Sequence, residues 1–238
     1  MEAVIPILLY HKIGHPPPGA RVPGQYVSPP LFRCHLSYLR GRGYHSLSLS
    51  RLTQTPSALP PKPVVITFDD GYRCLHEHAL PALVEHGFTA TVFLVAGGLG
   101  GVNYWETATG DVEEPMLGRE EIAELRTAAF EFGSHTLNHP RLTSLSPAEA
   151  AREIADAKAI LEDHLGEPCR SFAYPYGDWN QAVRHLVAAA GHEIACTTLR
   201  RAARRSDDHL ALPRINIRRY NLLPRFAYKL WRASRAKP

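Results

Sequence analysis

Three short segments carry side chains suited to hydrolytic chemistry. The first is the apolar run Val64 to Phe68, which leads directly into Asp69-Asp70-Gly71-Tyr72. Two carboxylates at a strand end are costly to desolvate together unless a cation or proton lies between them. Adjacent strand residues point to opposite faces, but Gly71 permits a sharp turn that brings both acids to one site. The plain alternative is an Asp-Gly turn that caps the next helix. The second segment, Phe130 to Ser134, ends in His135-Thr136-Leu137-Asn138-His139-Pro140. Histidines at i and i+4 share one face of a helical turn and reach one ion, although among 13 histidines such a pair also arises by chance. With Asp70 they form a two-histidine, one-carboxylate set with open positions, suited to zinc hydrolysis and equally able to hold iron, manganese or cobalt. The third segment is Phe172-Ala173-Tyr174-Pro175-Tyr176-Gly177-Asp178-Trp179. Aromatics around a proline make a flat wall for stacking on sugar, and the backbone N–H beyond Pro175 is placed for a substrate oxygen. A β-turn capped by core aromatics is the bland reading.

Such side chains need strands that deliver them to a common end. Short apolar runs alternate with helical patterns, the rhythm of repeated βα units. The strands expected are 4–10, 64–68, 89–95, 130–134, 169–174, 194–198 and 212–217, enough for a barrel. Ser28-Pro29 and Ser146-Pro147-Ala148-Glu149 mark helix starts, the latter a capping box opening a helix to about Leu165. Further helices are expected over 75–86, 119–128 and 181–190, with Gly87 and Gly191 as stops. The proline-rich stretches 14–30 and 55–63 read as surface connections, and 97–114 as a long loop that lines a site.

The chain has 238 residues, 45% of them hydrophobic and 21% charged, which fits one globular α/β domain and excludes a coiled coil or a disordered chain. The four cysteines form no CxxC and read as buried thiols rather than a disulfide framework or thiolate zinc site. With neither a membrane-length apolar run nor a signal h-region, the expected location is cytoplasmic. Charge is uneven. Residues 1–199 carry 15 basic and 21 acidic side chains, net −6, whereas residues 200–238 carry 12 basic against only Asp207 and Asp208, net +10.

In this order the three motifs resemble the polysaccharide deacetylase family, carbohydrate esterase family four: its TFDDG, H(S/T)xxH and RxPY(G) elements match Thr67 to Gly71, His135 to His139 and Ala173 to Gly177. The opening Leu9-Tyr10-His11-Lys12-Ile13 is similar to the YHxI start of the branch that acts on biofilm polysaccharides. The resemblance implies an α/β fold, an irregular (β/α) barrel of about seven strands in a single domain, with its site at the strand C-termini. It implies that Asp70, His135 and His139 bind a divalent metal, zinc first, with cobalt, manganese, nickel or iron as other candidates. It further implies that Asp69 is the general base for a metal-bound water and that Tyr176 offers its backbone N–H to the oxyanion. Tyr174, Pro175 and Trp179 are the substrate-binding candidates.

The chain departs from the pattern at Ala173, where the family has an arginine that orients the catalytic aspartate. The late leucine-histidine motif is also absent. In the YHxI branch the motif order looks circularly permuted, which makes His11 the candidate general acid, against a plain buried strand-end histidine. Arg214 is the candidate for the missing arginine, against a surface ion pair. The expected activity is removal of N-acetyl groups from amino sugars of a glycan or glycan precursor. The alternatives are a carbohydrate-binding relative without turnover and a hydrolase of another amide or ester; survival of Asp69 argues for the enzyme. No nucleic-acid partner is expected. The domain reading is a barrel over 1–217 and a basic tail over 218–238. An amphipathic helix after Pro224 would either pack its apolar stripe on the barrel or contact an anionic membrane surface peripherally.

Overall fold

The computed structural model describes residues 4–53 and 59–235. Residues 55–58 of the second proline-rich stretch, and Lys237 of the tail, lie outside that range. The strands are β1 (Val4–Ile5), β2 (Ile7–Tyr10), β3 (Lys12–Ile13), β4 (Tyr26–Val27), β5 (His45–Ser46), β6 (Pro63–Phe68), β7 (Thr91–Leu94), β8 (Glu131–Ser134), β9 (Ser171–Ala173), β10 (Ile194–Cys196), β11 (Ala203–Arg204) and β12 (Ile215–Asn216). The helices are α1 (Pro29–Gly41), α2 (Leu80–His86), α3 (Tyr104–Thr107), α4 (Arg119–Thr127), α5 (Pro147–Leu165), α6 (Gln181–Ala189) and α7 (Leu223–Arg235).

Seven strands run parallel in the order β10-β9-β8-β7-β6-β2-β12, and β5 adds to β6 from outside that path. The sheet curls until its edges meet: the Leu212 N–H donates to the Ala195 carbonyl and the Thr197 N–H to the Leu212 carbonyl, both at 2.8 Å. This is the irregular (β/α) barrel the motifs imply.

The expected first strand is cut at Pro6, which has no N–H to donate, and β1 pairs antiparallel with β11 instead of joining the barrel. The stretch 14–30 is not all surface connection, since β4 pairs with β3 and buries Tyr26 and Val27. Residues 75–79 form a π-turn that runs into α2 and stops at Gly87, which is left-handed at φ 68°. The capping box at Ser146 and Glu149 forms as expected, with Pro147 at the first helical position. Of the cysteines only Cys169 and Cys196 are buried; Cys34 lies on the outer face of α1 and is exposed, which corrects the reading of all four as buried.

Strand parity divides the core in two. Leu8, Tyr10, Val64, Ile66, Phe68, Val92 and Leu94 point outward beneath α1, α2 and α4. Ile7, Val65, Phe93, Ala173, Ile194 and Cys196 point inward and fill the barrel. The same inward parity, carried two residues further along, places Asp69, His135 and His11 at the top of the barrel interior. Helix α7 puts Phe226, Leu230 and Ala233 into the outer core beside α1, so the tail packs on the barrel. No helix of the described residues is long and apolar enough to cross a membrane.

Candidate active site

At the strand C-termini a cleft of about 340 Å³ is lined by His11, Asp69, Asp70, Glu106, His139 and Tyr176 among others. That volume is sufficient for a small ligand. A hollow of about 660 Å³ lies around Ser48, Arg126 and Glu167; among the described residues it has no comparable convergence of ligating groups.

Asp69 follows the inward parity of Val65 and Thr67 and is buried. Its two oxygens accept from Arg214, Nη1 to Oδ1 at 2.6 Å and Nη2 to Oδ2 at 2.7 Å, a fork-to-fork pair. Arg214 is fully buried and also donates from Nε to the Thr197 carbonyl at 2.9 Å and from Nη1 to Thr67 Oγ1 at 3.2 Å. Burial pushes the Asp69 carboxyl upward, and the Arg214 charge and hydrogen bonds together with His135 and His11 more than offset it, holding the group below its ordinary range.

Asp70 would point away from the barrel if the strand continued. It does not: Asp70 itself is left-handed at φ 74°, followed by Gly71 at φ 86°. A Cβ on Gly71 would lie 2.6 Å from Leu94 Cδ2, so this turn needs glycine for space as well as for conformation. The turn carries Asp70 back to the cleft, where Oδ1 lies 3.4 Å from His135 Nε2 and 3.3 Å from His139 Nε2.

The two histidines do not share a helical turn, which corrects that expectation. His135 ends the inward row of β8, and Thr136 and His139 both take left-handed φ, 70° and 59°. The loop is held instead by side chains and neighbouring backbone: Asn138 donates twice to Glu153 of α5, the His139 N–H donates to Thr136 Oγ1 at 3.0 Å, and the Gly97 N–H donates to the Leu137 carbonyl. Strained φ values in a β-branched residue and a ligand candidate persist only where the surroundings enforce them. His139 is enclosed by three rings, with centroids at 4.6 Å (Tyr176), 4.8 Å (His135) and 5.3 Å (Trp105).

These residues fit a divalent cation. Asp70, His135 and His139 are all buried, and each offers a ligand atom within 4.8 Å of the others. His135 Nδ1 lies 2.7 Å from the Ala173 carbonyl and donates to it, which leaves the Nε2 lone pair facing Asp70. Burial pulls the His135 imidazole down to about 4, so it is neutral at pH 7, as a ligand must be. A neutral Nε2 and a carboxylate oxygen at hydrogen-bond distance with no proton between them repel, and a cation resolves that conflict.

Arg214 immediately precedes β12, which closes onto β10, the neighbour of Ala173's strand β9. The guanidinium that grips Asp69 thus comes from a strand other than β9, while Ala173 offers its carbonyl to His135. His11 lies at the end of β2, on the same cleft wall as Asp69; burial draws its imidazole down, and Asp70 and Asp69 partly restore it. Tyr176 is left-handed at φ 60°, half exposed, and lies beneath the Arg141 guanidinium. Gly177 beside it leaves no room for a Cβ, which would meet Thr198 Oγ1 at 2.1 Å.

The proposed stacking wall is not where the sequence placed it. Tyr174 has outward parity, is fully buried between Phe172 and Trp179, and donates its hydroxyl to the Leu210 carbonyl at 2.8 Å. Pro175 is buried, Trp179 packs on the same outer cluster, and none of the three lines the cleft.

Glu106 was not anticipated. It stands on α3, inside the stretch read as a long loop, and its Oε2 accepts from Lys12 at 3.1 Å, Tyr72 at 2.8 Å and Asn103 at 2.7 Å. Lys12 is buried between the rings of Tyr26 and Tyr72. The cluster of acids in that stretch was the available signal. A buried lysine aimed at one of them cannot be inferred without the fold.

Residues 57–195 match the family described as polysaccharide deacetylase. YxkH of Bacillus subtilis, assigned by its name to the polysaccharide deacetylases, is 29% identical over 90% of this chain and 72% of its own length. The poly-beta-1,6-N-acetyl-D-glucosamine N-deacetylase of Staphylococcus aureus is 24% identical over 80% of this chain and 67% of that protein. Among solved structures, the Streptococcus pyogenes deacetylase PplD, in complex with acetate, superposes with TM-score 0.82 at 27% identity, covering 97% of this chain and 99% of that one. IcaB of Ammonifex degensii superposes with TM-score 0.74 at 26% identity, covering 95% and 97%.

Proposed function

The chain belongs to the polysaccharide deacetylase family, and from that premise we propose that it is a metal-dependent N-deacetylase, which hydrolyses the acetamide of an N-acetylated amino sugar in a glycan or glycan precursor to acetate and a free amine. The observation that carries this reading is the convergence of Asp70, His135 and His139 beside a buried Asp69–Arg214 pair.

Asp70, His135 and His139 would hold the ion. A divalent cation there lowers the pKa of a bound water and polarises the acetamide carbonyl. Asp69 takes the proton of the attacking water. Its neighbour on the chain is a ligand, so two adjacent acids have separate tasks. Arg214 keeps Asp69 ionised and fixes the direction of its oxygens. As the new C–O bond forms, the Tyr176 N–H donates to the oxygen that gains charge. The C–N bond then breaks, and His11 gives a proton to the departing amine; a depressed pKa makes its protonated form the stronger acid. Glu106, with Oε2 committed to three donors, keeps Oε1 to accept from a sugar hydroxyl at the cleft wall.

The substrate class is tested by incubating zinc-loaded or cobalt-loaded protein with β-1,6-linked and β-1,4-linked N-acetylglucosamine oligomers and with acetylxylan, and assaying acetate. Acetate is expected from the N-acetylated oligomers. Release from acetylxylan alone would replace the amidase reading with an esterase, and release from none would leave a binding protein.

A further inference from the structure

We propose that the outer face of α7 and the segment leading into it form a docking surface for an anionic lipid bilayer, so that the cleft works at a membrane surface. The helix has two faces. Phe226, Leu230 and Ala233 are spent on the core, yet the opposite side is not the polar face a globular protein normally shows to water. Tyr220, Leu222, Leu223, Tyr228 and Trp231 are between 40% and 63% exposed, nearly half of the large exposed hydrophobic side chains among the described residues, gathered in twelve positions of chain. Tyr228 and Trp231 stack on one another at 5.8 Å.

Arginines frame these side chains. Arg225, Arg232 and Arg235 follow the same outward face, with Arg235 over the Trp231 ring at 4.6 Å and Arg219 over the Tyr220 ring at 5.7 Å. The chain has no acidic residue after Asp208, and none of Arg218, Arg219, Arg225, Arg232 or Arg235 makes a salt bridge among the described residues. Lys229 is drawn down to about 8 by burial and by Arg225, Arg200 and Arg218 around it, so the cations here are crowded without compensation. Tyrosine and tryptophan with apolar bodies and polar tips, exposed leucines at one end, and arginines between them match the interface of a bilayer with anionic headgroups. The exposed Leu222 and Leu223 suit hydrocarbon. They have no counterpart in a nucleic-acid backbone, which would reward the cations alone. Arg218 and Arg200 also line the catalytic cleft, so the basic face is continuous with the cleft mouth and docking brings that mouth to the headgroups.

Because α7 completes the core, removing it would unfold the protein, and point variants of the full chain are the proper test. Tyr228→Ser/Trp231→Ser removes the aromatics, and Arg225→Glu/Arg232→Glu reverses two charges; none of the four touches the cleft. Wild type is expected to cosediment with phosphatidylglycerol-containing vesicles at low salt, to be released at high salt, and to ignore pure phosphatidylcholine. Each double variant should bind at least about tenfold more weakly, with its acetate release from a soluble oligosaccharide and its circular dichroism unchanged. Equal, negligible pelleting with both vesicle types would overturn the proposal. So would vesicle binding that neither double variant weakens, self-association of wild type through this face in sedimentation velocity without lipid, or binding to a single-stranded oligonucleotide that the aromatic variant retains in full.

Discussion

Asp69→Asn is expected to yield a folded protein that still takes up a divalent ion but releases acetate more slowly by a factor of about 10² or more. The amide preserves the shape of the side chain and one acceptor for Arg214. It cannot take a proton from the attacking water. Asp70, His135 and His139 are untouched by the change, so metal content measured on the purified variant should match wild type. That combination separates a base from a ligand: loss of a ligand lowers metal content, and loss of the base lowers turnover alone. An Asp69→Asn protein as active as wild type would remove Asp69 from the proton transfer.

Arg214→Met is the second large effect. Arg214 and Asp69 are both buried, and the guanidinium makes four hydrogen bonds, two of them to the carboxylate. Deleting it leaves a buried charge without compensation, with an expected loss of stability of about 3–5 kcal/mol in denaturant unfolding. Turnover should fall as well, because Asp69 loses both its orientation and the charge that keeps it ionised. In the Asp69→Asn/Arg214→Met double variant no unpaired charge remains. Its loss of stability should therefore be smaller than the sum of the single losses, while turnover stays at the Asp69→Asn level. Additive stability losses would mean that the two groups do not act as a pair.

Strand parity explains how much of this arrangement could be read from the sequence. Asp69, His135 and His11 continue inward rows that begin at Val65, Gly133 and Leu9, so an apolar alternation already points them to one end of one barrel. The same rule, applied to the third motif, puts Ala173 inward and Tyr174 outward, so parity overrides aromatic character and sends the expected stacking wall into the core. The spacing of the histidine pair marks it as a unit, although the helical turn that spacing suggests is absent. Four residues bring His135 and His139 together here through two left-handed residues and clamps from Glu153 and Gly97, and no periodicity signals such a turn. In the sequence Arg214 stands out only against the arginine position left empty at Ala173. Its reach to Asp69 depends on β12 lying beside β2, a closure that local patterns do not encode. Glu106 and its buried partner Lys12 are 94 positions apart in the chain and meet only in the fold.

The central claim is that Asp70, His135 and His139 hold the ion on which hydrolysis depends, and zinc reconstitution tests it most directly. Protein stripped by exhaustive chelation is titrated with zinc while acetate release from an N-acetylglucosamine oligomer is followed. Activity should be absent after stripping, return in proportion to added zinc, and level off near about one ion per chain, while His139→Ala gives no return over the same range. Full acetate release by the stripped wild-type protein would contradict it.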